Sequence, residues 1–222
     1  MIKTRTILPC LVVMIALTQL AACSAMSPAN KSLYALDAGK PTPSSAQLVS
    51  TAGGSAARDQ VLQIRRVNIS PPYDGLSLIY RTKAGTHVKD YYNQWVAPPE
   101  ELFTNQLVDY LSESHAFASV VDSRSAAPHR FALETCINSL YGDFQDTQHP
   151  RVVLAARVYL IDDSAGDRRV AYQNHYDVTI PLAAASARGL AQGAGNAYRQ
   201  LLESVAQDLS PFNGIALAAD GR

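Results

Sequence analysis

Apolar and polar residues alternate most cleanly along Val152, Leu154, Ala156, Val158 and Leu160. A period of two is the spacing of one strand face, so residues 152–161 are predicted as a strand with a buried side. Similar patterns predict strands over 131–144, through Phe131, Leu133, Thr135 and Ile137, and over 169–180. Asp163-Ser-Ala-Gly-Asp167 supplies a hairpin turn between the last two, and strands joined by short turns form an antiparallel meander. Upstream, Val61, Ile64, Val67 and Ile69 lie in a β-rich run that stops at Ser70-Pro71-Pro72. Leu76–Tyr80 and the aromatic run His87–Trp95 read as two further strands, and Phe117–Val121 as a short one. The isolated segment Ser32-Leu-Tyr-Ala-Leu-Asp has strand spacing and is expected to dock as a first edge strand.

Two stretches repeat at helical spacing instead. Pro98-Pro99-Glu100-Glu101 opens one, since Pro is tolerated in a first turn and acids complement the helix dipole there. Leu102, Phe103, Leu107, Tyr110 and Leu111 give that helix an apolar face. Residues 186–209 form the other, with Leu190, Ala194, Ala197, Tyr198, Leu201, Leu202, Val205 and Leu209 facing inward and Pro211 ending it. The order strands, helix, strands, helix predicts an α+β two-layer sandwich: a mostly antiparallel sheet with two helices on one face.

The start of the chain reads differently. Lys3 and Arg5 precede a short apolar run from Ile7 to Leu20, too short for a membrane span, which needs about 20 apolar residues, but suited to a secretory signal peptide. Leu20-Ala21-Ala22-Cys23 then fits the bacterial lipobox: an aliphatic residue, two small residues that let a peptidase reach the backbone, and a Cys whose thiol forms a thioether to diacylglycerol. Lipidation of Cys23, with palmitate or a similar acyl chain, is therefore expected. Ser24 rather than Asp after it favours export to the periplasmic face of the outer membrane over retention at the inner one. Residues 1–22 are read as signal peptide, 23–59 as lipidated Cys and flexible Ser/Gly/Pro-rich linker, 60–212 as the domain and 213–222 as a tail.

Composition narrows the function. The 222 residues are 47% hydrophobic and 17% charged, with 19 basic and 19 acidic residues, so neither global disorder nor a nucleic-acid partner is indicated. Cleavage before Cys23 removes two basic residues and no acid, leaving a formal charge of −2, too small to steer a partner. Cys10 leaves with the signal and Cys23 is lipidated, so Cys136 stands alone, expected as a small buried hydrophobe. The five His show no metal-ligand spacing, and neither CxxC, HExxH nor GxSxG occurs, so no metal, cofactor or catalytic residue is assigned. Gly189, Gly193 and Gly195 sit in a helical pattern and read as close packing rather than a phosphate loop. Arg65 and Arg66 are placed mid-strand, one turned outward and the other able to meet a carboxylate. Asp162-Asp163 and Arg168-Arg169 are expected at a solvated hairpin tip. Tyr91, Tyr92 and Trp95 are candidates for a partner contact, as clustered Tyr and Trp anchor partners at binding surfaces; packing in the core is the alternative.

Several pieces in order resemble the ABC-type transport auxiliary lipoprotein family, the PqiC-like proteins. They are the lipobox, Ser32-Leu-Tyr-Ala-Leu, Val61-Leu-Gln-Ile-Arg-Arg-Val-Asn-Ile with its Pro-containing turn, Leu78-Ile-Tyr-Arg81, and Tyr92-Asn-Gln-Trp95-Val-Ala-Pro-Pro-Glu100 running into a helix. Pro99 departs from the family pattern at the second position after Ala97. The resemblance spans about residues 32–209. It implies a non-enzymatic, lipid-anchored periplasmic partner of a permease, an ATPase and an MCE-domain (MlaD-like) protein, in systems that move lipids between the two membranes and support envelope integrity. Docking onto the transport tunnel or onto another copy of the chain is the implied mode of action. An outer-membrane assembly or secretion-system lipoprotein, or a periplasmic hydrolase, are the alternatives that the residues leave open.

Overall fold

The computed structural model describes residues 30–41, 61–117, 119–163 and 168–214. The chain divides into two units, Met1–Lys31 and Ser32–Arg222. The predicted signal peptide, Cys23, Ser24, residues 42–60 with most of the predicted linker, most of the 163–167 turn and the predicted tail from 215 lie outside the described residues. No described helix is long and apolar enough to cross a membrane.

Among the described residues nine strands form one mixed sheet, and two helices pack on one of its faces: an α+β fold of two layers. The strands are β1 (Ser32–Tyr34), β2 (Val61–Ile64), β3 (Asn68–Ile69), β4 (Ser77–Arg81), β5 (His87–Trp95), β6 (Ser119–Asp122), β7 (Phe131–Asp143), β8 (Arg151–Asp162) and β9 (Arg169–Pro181). The helices are α1 (Pro99–Glu113) and α2 (Ala187–Leu209). Long antiparallel ladders join β7 to β8 and β8 to β9, the meander that the alternation predicts. Val152, Leu154, Ala156, Val158 and Leu160 all face the core, 0–1% exposed. Full burial of each larger member is worth about 1.5–3 kcal/mol relative to exposure.

The other side of β7 carries a pairing that no local pattern announces. β2, β3 and β4 follow one another along it, parallel, at Leu62↔Phe131, Asn68↔Cys136 and Tyr80↔Gly142. The sheet therefore forks: β6 extends it beyond β2, and β5 then β1 extend it beyond β4.

Helix α1 starts at Pro99, with Glu100 and Glu101 in its first turn, and buries Phe103, Leu107, Tyr110 and Leu111. In α2 the Ser186 hydroxyl caps the first turn by accepting from the Gly189 amide at 3.1 Å. The helices meet where the buried Tyr198 ring packs edge-on against Phe103, centroids 4.5 Å apart, and its hydroxyl donates to the Phe103 carbonyl at 2.9 Å.

Residues 35–41 run from β1 as a strap across both helices. Leu36 and Ala38 are buried, the Ala38 amide donates to Gln106 Oε1 at 2.8 Å, and Lys40 pairs with Glu113 at 3.0 Å. Residues 32–41 thus pack against the expected domain. A Cβ on Gly195 would collide with the Asp37 carbonyl, and one on Gly193 with Leu182. These glycines serve close packing, as expected of their place in a helical pattern.

Three expectations change. Cys136 is half-buried, not core: it is on the face away from the helices, its Sγ 3.8 Å from Ser70 Oγ. Arg168 and Arg169 are exposed as expected, but Asp162 is buried and Asp163 largely so. Asp162 is 3% exposed and meets Arg130 and Arg169 at 3.4 and 3.3 Å, while Asp163 faces Arg168 at 2.8 Å and Arg65 at 3.9 Å. Burial of a carboxylate is tolerable there because arginines converge on it. Arg65 and Arg66 lie between β2 and β3 rather than mid-strand, and both find carboxylates, Glu134 for the first and Glu100 for the second.

Candidate functional site

The sequence singles out Tyr91, Tyr92 and Trp95, and the structure separates them. Trp95 is 3% exposed and belongs to the core. It stands opposite Tyr34 of β1, and its amide donates to the Leu76 carbonyl at 2.7 Å. A ring held inside the β1–β5–β4 layer cannot reach a partner, so the candidate contact loses Trp95. Tyr91 and Tyr92 are 65% and 50% exposed, their rings edge-on at 5.2 Å.

A β-bulge presents them. Between Ser77 and Ile79, β4 advances while β5 runs from Gln94 to Lys89, so Asp90–Asn93 stand out of the ladder. The Asp90 carboxylate organises this bulge. It accepts from the Tyr92 amide at 2.9 Å, the Asn93 amide at 3.0 Å, Asn93 Nδ2 at 2.8 Å and the Tyr80 hydroxyl at 2.9 Å. Burial pushes this carboxyl up, but the donors from Asn93, Tyr80 and Tyr92 outweigh it and hold Asp90 below the usual carboxylate range. Tyr80 responds in the opposite sense: burial, and then the Asp90 carboxylate, push its hydroxyl well above the ordinary tyrosine value.

Two more exposed apolar side chains border the bulge. Leu33 of β1, 59% exposed, pairs with Gln94, and Val96, 52% exposed, donates its amide to the Tyr34 carbonyl at 2.8 Å. Beside Leu33 an open groove of about 670 Å³ separates β1 from α2, lined by Tyr34, Asp37, Arg188, Gln192 and Asn196 among others. Sequence reading missed Leu33, Val96 and Asp90 as parts of this surface. An Asp within an aromatic β run, able to turn the backbone through its side chain, is the signal that could have revealed the bulge.

The opposite end of the sheet's outer face is polar and internally matched. Asp143, 3% exposed, accepts from Arg81 Nη2 at 2.6 Å and Arg151 Nε at 2.9 Å. Hydrogen bonding by Arg81, against the cost of burial and with help from Arg151, pulls its carboxyl down to about 2. Above it, Tyr141 stacks with Tyr73 at 6.0 Å and meets His87 edge-on at 4.8 Å. No cluster of three metal-ligating side chains occurs among the described residues.

Comparison with known proteins places this architecture. No curated protein matches the chain. Among solved structures, XCC0632 from Xanthomonas campestris has a TM-score of 0.64 at 16% identity, over 80% of this chain and 95% of that one. The hypothetical protein CT253 from Chlamydia trachomatis has a TM-score of 0.52 at 14% identity, over 69% of this chain and 97% of that one. At such identities the likeness is one of fold. The family model for ABC-type transport auxiliary lipoprotein components matches residues 34–206, from the end of β1 into the last turns of α2. With most of the chain matched, including the strap, the forked sheet and both helices, the chain belongs to the family of ABC-type transport auxiliary lipoprotein components.

Proposed function

We propose that this protein is a non-enzymatic, lipid-anchored periplasmic component of an ABC/MCE-type system that carries lipids between the two bacterial membranes. Acylation of Cys23 holds it at the periplasmic face of the outer membrane, and its folded body docks on the MCE-domain protein of the same system. A permease and an ATPase at the inner membrane supply the energy, so this chain needs no cofactor. The observation that carries the reading is the family match over residues 34–206. The lipobox at 20–23 agrees with it. So does the low net charge, which leaves docking to shape and apolar contact rather than long-range steering. The test is affinity capture from chemically crosslinked cells, paired with growth of a deletion strain on detergent. Recovery of an MCE-domain protein with its permease, and detergent sensitivity restored by the wild-type gene, are expected. Consistent capture of secretion or pilus components, with no MCE-domain protein, would overturn the reading.

A further inference from the structure

The exposed side chains Leu33, Tyr91, Tyr92 and Val96 gather on the edge of the sheet where the N-terminal leader joins the body. β1 is the outermost strand on that side and begins at Ser32. Nine peptide units separate Cys23 from Ser32, a contour of at most about 30 Å at the full extension of a chain. Had the body begun at β2, the leash would have been about four times as long by the same rule. Docking of β1 and the strap therefore shortens the tether and fixes which edge of the domain it pulls on.

The chemistry of that edge suits the boundary layer of a bilayer. Tyrosine has an apolar ring and a polar tip, the combination enriched at headgroup depth, and Leu and Val supply the part that enters the acyl region. Cations flank the apolar group. Lys89 is exposed beside it, and Arg188 is exposed on the wall of the groove next to Leu33, with no ion-pair partner among the described residues. Asp37 is the one acid lining that groove. The Asp90 carboxylate in the bulge is committed to four donors. A cationic rim around an apolar patch is what phosphate headgroups over acyl chains require.

Resting on the proposed acylation of Cys23, we infer that the Leu33, Tyr91, Tyr92 and Val96 edge is a membrane-contact surface that seats the domain on the bilayer to which it is anchored. The acyl chains supply attachment and the patch supplies orientation, leaving the β9 side of the sheet turned toward the periplasm.

The experiment uses the full lipidated chain, reconstituted into phosphatidylethanolamine and phosphatidylglycerol vesicles whose acyl chains carry bromine, a collisional quencher of tryptophan. Two variants are compared, Tyr92→Trp on the patch and Val170→Trp, an exposed position of β9 at 54%. The native Trp95 is buried and contributes equally to both. Flotation with the vesicles first reports whether the anchor is present. With flotation, quenching at least about twofold stronger for Tyr92→Trp than for Val170→Trp supports the inference, as expected for residues at acyl depth against residues in water. Flotation with equal quenching at the two positions, or stronger quenching at 170, overturns the inference and leaves the anchor standing. So does protection of the residue 92 indole by self-association in vesicle-free detergent solution, which would make the occupant a second copy. Failure to float overturns the anchor and the inference together. Tyr91→Ser combined with Leu33→Ser in the Tyr92→Trp background is expected to lower quenching while flotation persists, a loss that a merely buried indole would not show.

Discussion

The backbone of Asp37 lies directly against the Cα of Gly195, with its carbonyl oxygen where a Cβ would have to stand. This contact lets the strap cross α2 and bury Leu36 and Ala38. Gly195→Ala forces either the strap or the helix to move, and overpacking of this kind costs about 1–3 kcal/mol. Urea denaturation should show that loss, and limited proteolysis should cut the variant within residues 35–41. Gly75→Ala is the control: nothing lies within 4 Å of its Cβ position, and its stability should be unchanged.

Trp95 and its neighbours Tyr91 and Tyr92 should answer oppositely to truncation. Trp95→Ala empties part of the core and is expected to cost about 3–5 kcal/mol. Tyr91→Ser and Tyr92→Ser remove exposed rings and should alter thermal unfolding by no more than about 0.5 kcal/mol. Calorimetry on the three variants checks the division between core and surface.

Asp143 makes stability depend on acid. Its folded-state pKa of about 2 lies below the ordinary 3.8, so the unfolded chain takes up the proton first as pH falls. The contribution is complete above about pH 4 and lost as pH falls toward 2, and a shift of that size is worth about 2 kcal/mol. Asp143→Asn should therefore be clearly less stable than wild type at pH 7 and approach it near pH 2 to 3, as followed by urea titrations. The same substitution leaves Arg81 and Arg151 without their shared carboxylate, which adds to the neutral-pH loss.

Alkali should act through buried tyrosines. Burial raises Tyr198. Burial, then hydrogen bonding with Tyr172 and Asp208, raises Tyr176; burial, then Asp90, raises Tyr80. Each group's contribution is intact below the unfolded value near 10 and is lost as pH climbs past it, because only the unfolded chain ionises readily. The phenolate absorbance of these three should therefore appear together with unfolding. Tyr198→Phe removes the hydrogen bond to Phe103 at a cost of about 1 kcal/mol and should remove one tyrosine from the absorbance that accompanies unfolding.

How far the sequence speaks can be read from particular residues. The period-two run through Val152–Leu160 and the helical face through Leu190–Leu209 are local signals set by which side is buried, and both elements stand where the pattern puts them. The parallel docking of β2, β3 and β4 along β7 depends on register between segments far apart in sequence, and no single run encodes it. Asp162 reads as a turn residue because one of its two pairing cations, Arg130, is remote in sequence. Trp95 and Tyr91 share one place in a period-two alternation, yet Trp95 is buried and Tyr91, within the bulge at Asp90, is exposed. The family was legible because its motifs are short and ordered. The surface was not, because exposure belongs to the assembled sheet.

Intact-mass and peptide mass spectrometry of the protein extracted from envelopes bears most directly on the membrane-tethered role. A mature chain that starts at Cys23 and carries the mass of a diacylglyceryl thioether, with or without a further acyl group on its amine, is the predicted result. A mature chain that retains an unmodified Cys23, or that starts beyond it, would contradict it.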